Sequence, residues 1–322
     1  MARMSVGVLR GGTSSEYPLS LKTGAAMLAA LPGDRFDTRD IFVDKRGYWH
    51  SRGIPIDAAR ALSQVDVALN ALHGGVGEDG SVQRILERAG VPYIGSSALP
   101  SSLSLNKIRA RQVLQKAGIR MPRAISFSTR NSLNTVEMAR IIFAQFGPPY
   151  VVKPPNEGAS HGIRVAAHLV ELPDVLGDVL DAYGAALVEE FVRGQEATVG
   201  VIEDFRGEEM YTLPPTHVIL PEGARFMDPL HHEEGSLRHI VPSNFSHSEK
   251  QALADIARAA HKALGMGHFS RADIILTSHG PYLLEVNSIP GLYPGAAFSH
   301  MLESVGSSVR EFLEHAINLS RH

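Results

Sequence analysis

Residues 271–291 read RADIILTSHGPYLLEVNSIPG. Ile274 to Leu276 and Tyr282 to Val286 are apolar runs rich in β-formers, and turn residues separate them. That pattern predicts a buried hairpin. Polar groups at the mouth of such a hairpin are costly to bury unless charge of the opposite sign sits among them. Asp273 is on the first strand. Glu285 and Asn287 are two apart on the second, so their side chains share one face. Two carboxylates and an amide oxygen are hard donors, suited to magnesium that keeps phosphate oxygens as further ligands. An exposed hairpin with solvated acids would carry less apolar flanking sequence than this one does.

Working outward, VVKPPNEGASHGIRV (151–165) places Lys153 at the end of an apolar strand, facing a loop with Gly158 and Gly162. Glycines let backbone N–H groups approach an anion, and the lysine adds a point charge. The GK[ST] ending of a Walker loop is missing. Alone, the segment is equally a plain turn; beside the hairpin, triphosphate binding becomes the better reading. LVEEFVRGQEATVG (187–200) is the third piece. One acid of Glu189-Glu190 suits an adenine amino group, the Val192 backbone the ring edge, and Glu196 a ribose hydroxyl. An edge strand with exposed acids explains this piece equally well. Lys107, alone on a helix, is ordinarily a solvated charge.

The chain has 322 residues, room for two or three domains. It is 44% hydrophobic and 20% charged, with net charge −3, so neither disorder nor a polyanion partner is indicated. No nucleic-acid or membrane partner is expected. Without cysteine, neither disulfides nor thiolate chemistry is available. The apolar start is broken by Arg10-Gly11-Gly12, too soon for a signal peptide, and no run approaches membrane-spanning length. Predicted strands at 4–9, 40–43 and 65–72 alternate with helices at 20–31 and 80–89, followed by a short strand VPYIG (91–95). This is the rhythm of a parallel α/β unit. A helix at 104–117 leads to strands at 122–127 and 150–153, with a helix at 135–146 between them. A helix at 173–183 and strands at 186–191 and 197–202 follow. Residues 214–241 are loop-rich and predicted to be a lid. Helices at 248–264 and 307–317 flank the hairpin.

Lys107, Lys153, EEFV (189–192), RAD (271–273) and EVNSIPG (285–291) occur in an order and spacing that resemble the ATP-grasp fold. GGTSSE (11–16), ALHGGVGEDG (71–80) and YIGSS (93–97) narrow this: nearly the whole chain resembles the D-alanine–D-alanine ligases. The resemblance implies an α/β N-terminal subdomain, 1–100, followed by two ATP-grasp subdomains of α+β character, 101–185 and 186–322, with the lid at 214–241. It implies a cytoplasmic, ADP-forming ligase that joins two D-alanines for peptidoglycan precursors through an acyl phosphate. D-amino acids are the implied substrates, and a homodimer through the N-terminal subdomain is the implied assembly. ATP and magnesium are the implied cofactors, with two ions expected and manganese as a substitute.

The resemblance also carries residue roles. Lys107, Lys153, Glu157, Ser160, Glu189, Glu190, Val192 and Glu196 are implied to bind ATP, and Asp273, Glu285 and Asn287 the metal. Glu16 anchors the first ammonium. Arg271 and the Gly291 N–H hold the acyl-phosphate and tetrahedral oxygens, with Lys153 assisting phosphoryl transfer. His73, Tyr293 and His232 are the remaining implied substrate contacts. Three departures stand out. The phosphate loop reads EGASHG (157–162) where the family has EGSSxG, so Ala159 removes a serine that ties Glu16 to a lid tyrosine. The lid, FMDPLHHEEG (226–235), puts His232 and Glu233 where lysine and tyrosine are expected. Ala296 and Ala297 stand where a Ser-Leu pair contacts the second substrate. They leave open an acceptor other than D-alanine, such as a D-hydroxy acid or another D-amino acid, or a catalytically impaired ATP-binding relative.

Overall fold

The structure, a computed structural model, describes residues 3–221 and 237–321. The first sheet is built around β1 (Met4–Gly11), which runs parallel to β2 (Phe36–Val43). A hairpin of β3 (Trp49–Ser51) and β4 (Ile54–Pro55) extends β2, and β5 (Val67–Asn70) pairs parallel on the other side of β1. The order is β4-β3-β2-β1-β5. Val6, Val8, Val67 and Leu69 are fully buried, as expected of parallel strands covered on both faces. The short extra hairpin lacks a long apolar run, which is why periodicity does not reveal it.

The second sheet contains β6 (Ala124–Ser128), β7 (Tyr150–Lys153), β8 (Arg164–Ala166) and β9 (Ala185–Glu190), in the order β6-β9-β7-β8 and antiparallel throughout. Helices Thr135–Gln145 and Leu172–Tyr183 close its own apolar core. The third sheet runs β13-β12-β10-β14-β15, with β11 (Glu208–Thr212) also on β10. Its members are β10 (Gln195–Phe205), β12 (Thr216–Ile219), β13 (Arg238–Ile240), β14 (Phe269–Thr277) and β15 (Gly280–Asn287). Helix His247–Leu264 packs on it through Leu253, Ala257, Ala260 and Leu264. The first sheet is not an island. Ile202, Phe269, Phe298 and Phe312 join Val6, Val8, Val67 and Leu69 in one core, which ties the N-terminal strands to the C-terminal third.

Several boundaries differ from the sequence expectations. The helix expected at 104–117 is two helices, Ala98–Leu105 and Lys107–Lys116, broken at Asn106. Asn106 caps the second by accepting a hydrogen bond from the Arg109 backbone N–H at 2.9 Å, a role that competes with a helical interior. VPYIG makes a single bridge, Ala68 to Tyr93, rather than a strand. The loop-rich segment 214–241 contributes β12 and β13 at its two ends, where Val218 pairs with His239. Helix Ala297–Ser304 is additional to the helices that periodicity predicts. Among the described residues no helix is long and apolar enough to cross a membrane.

Candidate active site

The hairpin of residues 271–287 forms as β14 and β15. Asp273 pairs with Glu285 and Arg271 with Asn287, so all four polar groups meet across two adjacent strands. A register shift between Asp273 and Ile274 bends the hairpin at that point; such bulges re-aim side chains. Ala272, Ile274 and Leu276 are buried in the core on the opposite face.

Each acid has a basic neighbour. Arg271 grips Asp273 through two bonds, Nε to Oδ1 at 3.0 Å and Nη2 to Oδ2 at 2.8 Å. Asn287 donates to Asp273 Oδ2 at 2.9 Å, and Thr198 to Oδ1 at 2.8 Å. Lys107 Nζ lies 2.9 Å from Glu285 Oε2 and donates to the Glu157 carbonyl at 2.8 Å. Burial alone would raise the Glu285 carboxyl; Lys107, Lys153 and Arg271 outweigh it and hold it at about 2. Burial also opposes the Arg271 charge, but Asp273 and Glu285 raise its pKa above the ordinary arginine value. Lys107 is therefore no solvated helical lysine. Its helix begins against the phosphate-loop segment, where the Lys107 N–H donates to the Pro155 carbonyl at 2.8 Å and Asn106 to Asn156 at 2.7 Å.

Two cavities share this centre. A cleft open to solvent lies between the second and third sheets. Lys107, Lys153, Glu157, Ser160, Glu189, Glu190, Val192 and Glu196 all line it, together with Asp273 and Glu285. Val151, Ile163, Phe191 and Ile275 supply apolar walls, the mixture of greasy sides and few convergent polar groups that small-molecule sites have. Both acids of the EEFV segment are already paired. Glu189 is buried against Lys153 at 2.6 Å, and Glu190 bonds Arg123 at 2.7 Å. Glu196 is held up at about 7 by burial and by the Asp273 charge, against the pull of Lys153. Ala159 and Ser160, in the loop beyond Lys153, have φ of +44° and +62°, a left-handed backbone that is strained for residues with a Cβ.

A second, smaller cavity adjoins the cleft and shares Ser160, Asp273 and Glu285 with it. Glu16, His73, Arg271, Asn287, Gly291 and Tyr293 line it. Glu16 stands at the start of helix Tyr17–Ala30, with Gly74 and Gly158 closed on it: a Cβ on either would meet its carboxylate and make the side chain shift. Burial and the Glu78 charge push the Glu16 carboxyl up to about 8, despite Lys107. Burial, reinforced by Arg271, lowers His73 to about 4, so its ring is neutral and bonds Thr23 at 2.8 Å. The Tyr293 ring lies so close over Gly291 that a Cβ there would meet it at 2.8 Å.

Glu78 is a residue of the smaller cavity that the sequence reading misses, although it lies inside the HGGVGED block. Its carboxylate accepts from Gly74 N at 2.8 Å, Ser288 Oγ at 2.7 Å and Ile289 N at 3.1 Å. It thereby staples the His73 loop to the loop that carries Gly291, a contact across 210 residues of sequence that no local pattern encodes. Ala296 and Ala297 are buried at the start of a helix and line neither cavity. His232 lies outside the described residues.

The metal expectation meets a suitable donor set. Among the described residues no cluster of three or more acidic, histidine or cysteine ligands forms. Two carboxylates in register remain, lining both cavities, with one amide that lines the smaller. That set fits magnesium when nucleotide oxygens complete the shell.

Comparison with known proteins agrees with this geometry. Residues 113–318 match the family model "D-ala D-ala ligase C-terminus" and residues 50–96 the model "D-ala D-ala ligase N-terminus". The D-alanine–D-alanine ligase of Desulforudis audaxviator is 32% identical over 98% of each chain. That of Geobacter sulfurreducens is 35% identical over 89% of this chain and 84% of its own. Among solved structures, D-alanyl-alanine synthetase A of Vibrio cholerae superimposes with a TM-score of 0.88 at 26% identity, covering 100% of each chain. The Bacillus anthracis D-alanine–D-alanine ligase complexed with ATP gives 0.82 at 27%, covering 98% of this chain and 97% of its own. With a hairpin of paired acids, a cleft lined by lysines and acids and an adjoining small polar cavity in one fold, the chain belongs to the D-alanine–D-alanine ligase family of ATP-dependent, ATP-grasp enzymes.

Proposed function

We propose that this enzyme joins two D-alanines, consuming ATP and releasing ADP and phosphate. The observation that carries this reading is the pair of adjoining cavities meeting at Ser160, Asp273 and Glu285. A nucleotide in the larger one brings its terminal phosphate to the mouth of the smaller. The first D-alanine lies in the smaller cavity with its ammonium at Glu16. Its carboxylate oxygen attacks the γ-phosphorus, the bond to the β,γ-bridging oxygen breaks, and ADP leaves with that electron pair. The amine of the second D-alanine then attacks the acyl-phosphate carbonyl, loses a proton and expels phosphate. Arg271 and the Gly291 N–H hold the oxygens on which charge develops, where preorganised donors contribute most. Lys107 and Lys153 neutralise the phosphates. Asp273, Glu285 and Asn287 would hold magnesium, which supplies charge neutralisation of the transferring phosphoryl group. His73 and Tyr293 orient the substrates, and His232 is the remaining substrate contact that the resemblance implies. The work divides among segments 1–100, 101–185 and 186–322, the first two clasping the substrates against the third. A cytoplasmic location and a homodimer accompany this reading.

A second reading keeps the chemistry and changes the acceptor. It is favoured by Ala159 in the wall of the smaller cavity and by the absence of Ala296 and Ala297 from its lining. No hydroxyl from those three positions reaches an acceptor carboxylate. ADP release in the presence of Mg-ATP separates catalysis from mere nucleotide binding. It should require a D-amino acid and be absent with L-alanine. ADP release without any amino acid, or none with any D-amino or D-hydroxy acid pair, would contradict ligase function.

A further inference from the structure

Among the described residues, Arg111 is the buried cation that the mechanism above leaves unused. It sits one helical turn after Lys107, on the same helix, and is 6% exposed. It lines neither cavity. Its Nη1 meets Glu189 Oε1 at 3.1 Å, while the other oxygen of Glu189 meets Lys153 Nζ at 2.6 Å. Its Nη2 is buried without a hydrogen-bond partner. Packing does not require such a group: its helix neighbours Ala110 and Leu114 are apolar core, and a methionine would fill comparable space. A buried cation is retained at a cost unless it serves charge balance.

We propose that Arg111 is a positioning residue for the nucleotide, acting through Glu189. By sharing the carboxylate charge of Glu189, it leaves the Lys153 ammonium for the phosphates of ATP. The inference rests on reading Lys153 as a phosphate contact. Arg111, Glu189 and Lys153 together carry one net positive charge. Without Arg111 the other two cancel, and Glu189 presents unshared negative charge to an arriving polyanion. Coulomb effects of this kind are strong in a poorly hydrated interior. Lysine at 111 would keep the charge but not the fork that reaches past Glu189.

The test compares Arg111→Met, Arg111→Gln and Arg111→Lys with the wild type. The readouts are KM for ATP, KM for D-alanine and the inhibition constant of adenosine, which carries no phosphate. Met and Gln should raise KM for ATP about tenfold, leaving KM for D-alanine and adenosine inhibition within about twofold. Lys should fall between. An unchanged KM for ATP in both neutral variants would overturn the proposal. Equal weakening of ATP and adenosine would also overturn it, since that reports distortion of the cleft. Lys153→Met separates the two levels. If it leaves KM for ATP unchanged, the phosphate reading of Lys153 fails and takes this inference with it. If it raises KM for ATP while Arg111→Met does not, only the role of Arg111 fails. Gln covers the case in which Met does not fold.

Discussion

At the scale of single residues, the hairpin acids are balanced by basic neighbours while Glu16 is not, and titration exposes the difference. Glu16 is held up at about 8 by burial and by Glu78, so at neutral pH it is largely protonated in the free protein. Anchoring a substrate ammonium there requires the ionised form. D-alanine binding below about pH 8 should therefore release a proton, and KM for the first D-alanine should fall as pH rises toward that value. Calorimetry in buffers of different ionisation enthalpy reads the proton directly; no proton released at pH 7 would contradict the assignment. A carboxyl raised on folding contributes stability that is full below about pH 4.5 and is lost as pH rises through about 8. Glu78 offers a second check. Glu78→Gln replaces an acceptor oxygen with an NH2 facing either the Gly74 N–H donor or the Ser288 hydroxyl and Ile289 N–H donors. Catalysis should drop about 100-fold, with KM for ATP unaffected, because the clasp holds the smaller cavity only. An equal loss of ATP affinity would argue for general unfolding instead.

At the scale of elements, the hairpin is the most legible part, and the reason is physical. Two apolar runs of strand length with turn chemistry between them leave one register, and that register sets Asp273 opposite Glu285. Lys153 and the glycine loop are legible for the same reason, a strand ending in charge. Asn106 and Arg111 are not. Asn106 breaks what reads as one helix, and Arg111 resembles any helical arginine until Glu189 is seen beside it. The cap can be tested. Asn106→Ala removes the bond from the Arg109 N–H and the contact with Asn156. It should cost about 1 kcal/mol of stability in urea denaturation and raise KM for ATP, because Lys107 begins the helix that Asn106 caps. Stability loss with KM unchanged would detach Lys107 from the nucleotide. The loop at Ala159 carries strain that glycine relieves, since φ is +44° there. Ala159→Gly should stabilise the protein by about 1 kcal/mol, a rise readable in the thermal midpoint; a fall would mean that the left-handed backbone is not strained.

At the scale of the whole molecule, the three sheets are fastened by contacts that no segment predicts alone. One fastening is sensitive to pH. The Gly95 N–H donates to His268 Nδ1 at 3.0 Å, and the Gly267 N–H donates to Ser96 at 3.1 Å, joining the N-terminal segment to the start of β14. His268 must be unprotonated at Nδ1 to accept. Burial lowers its pKa, with His315 adding to that and Glu203 opposing it. Its stability contribution is therefore full above about pH 6.5 and lost as pH falls through the lowered value. His268→Asn keeps a residue that tolerates the left-handed backbone, φ +59°, but does not titrate there. Urea unfolding between about pH 7.5 and 5.5 should show a shallower pH slope for the variant; identical slopes would remove His268 from the fastening. The fold class and family are legible at this scale because their motifs span nearly the whole chain. The acceptor is not, because Ala159, Ala296 and Ala297 say what is missing from the second subsite without saying what replaces it. The deciding measurement is mass spectrometry of the product formed from Mg-ATP and D-alanine alone, repeated with D-lactate and other D-amino acids added. D-alanyl-D-alanine as the main product in both conditions is the predicted result. No dipeptide from D-alanine alone, with a mixed product appearing only when another acceptor is supplied, would contradict it.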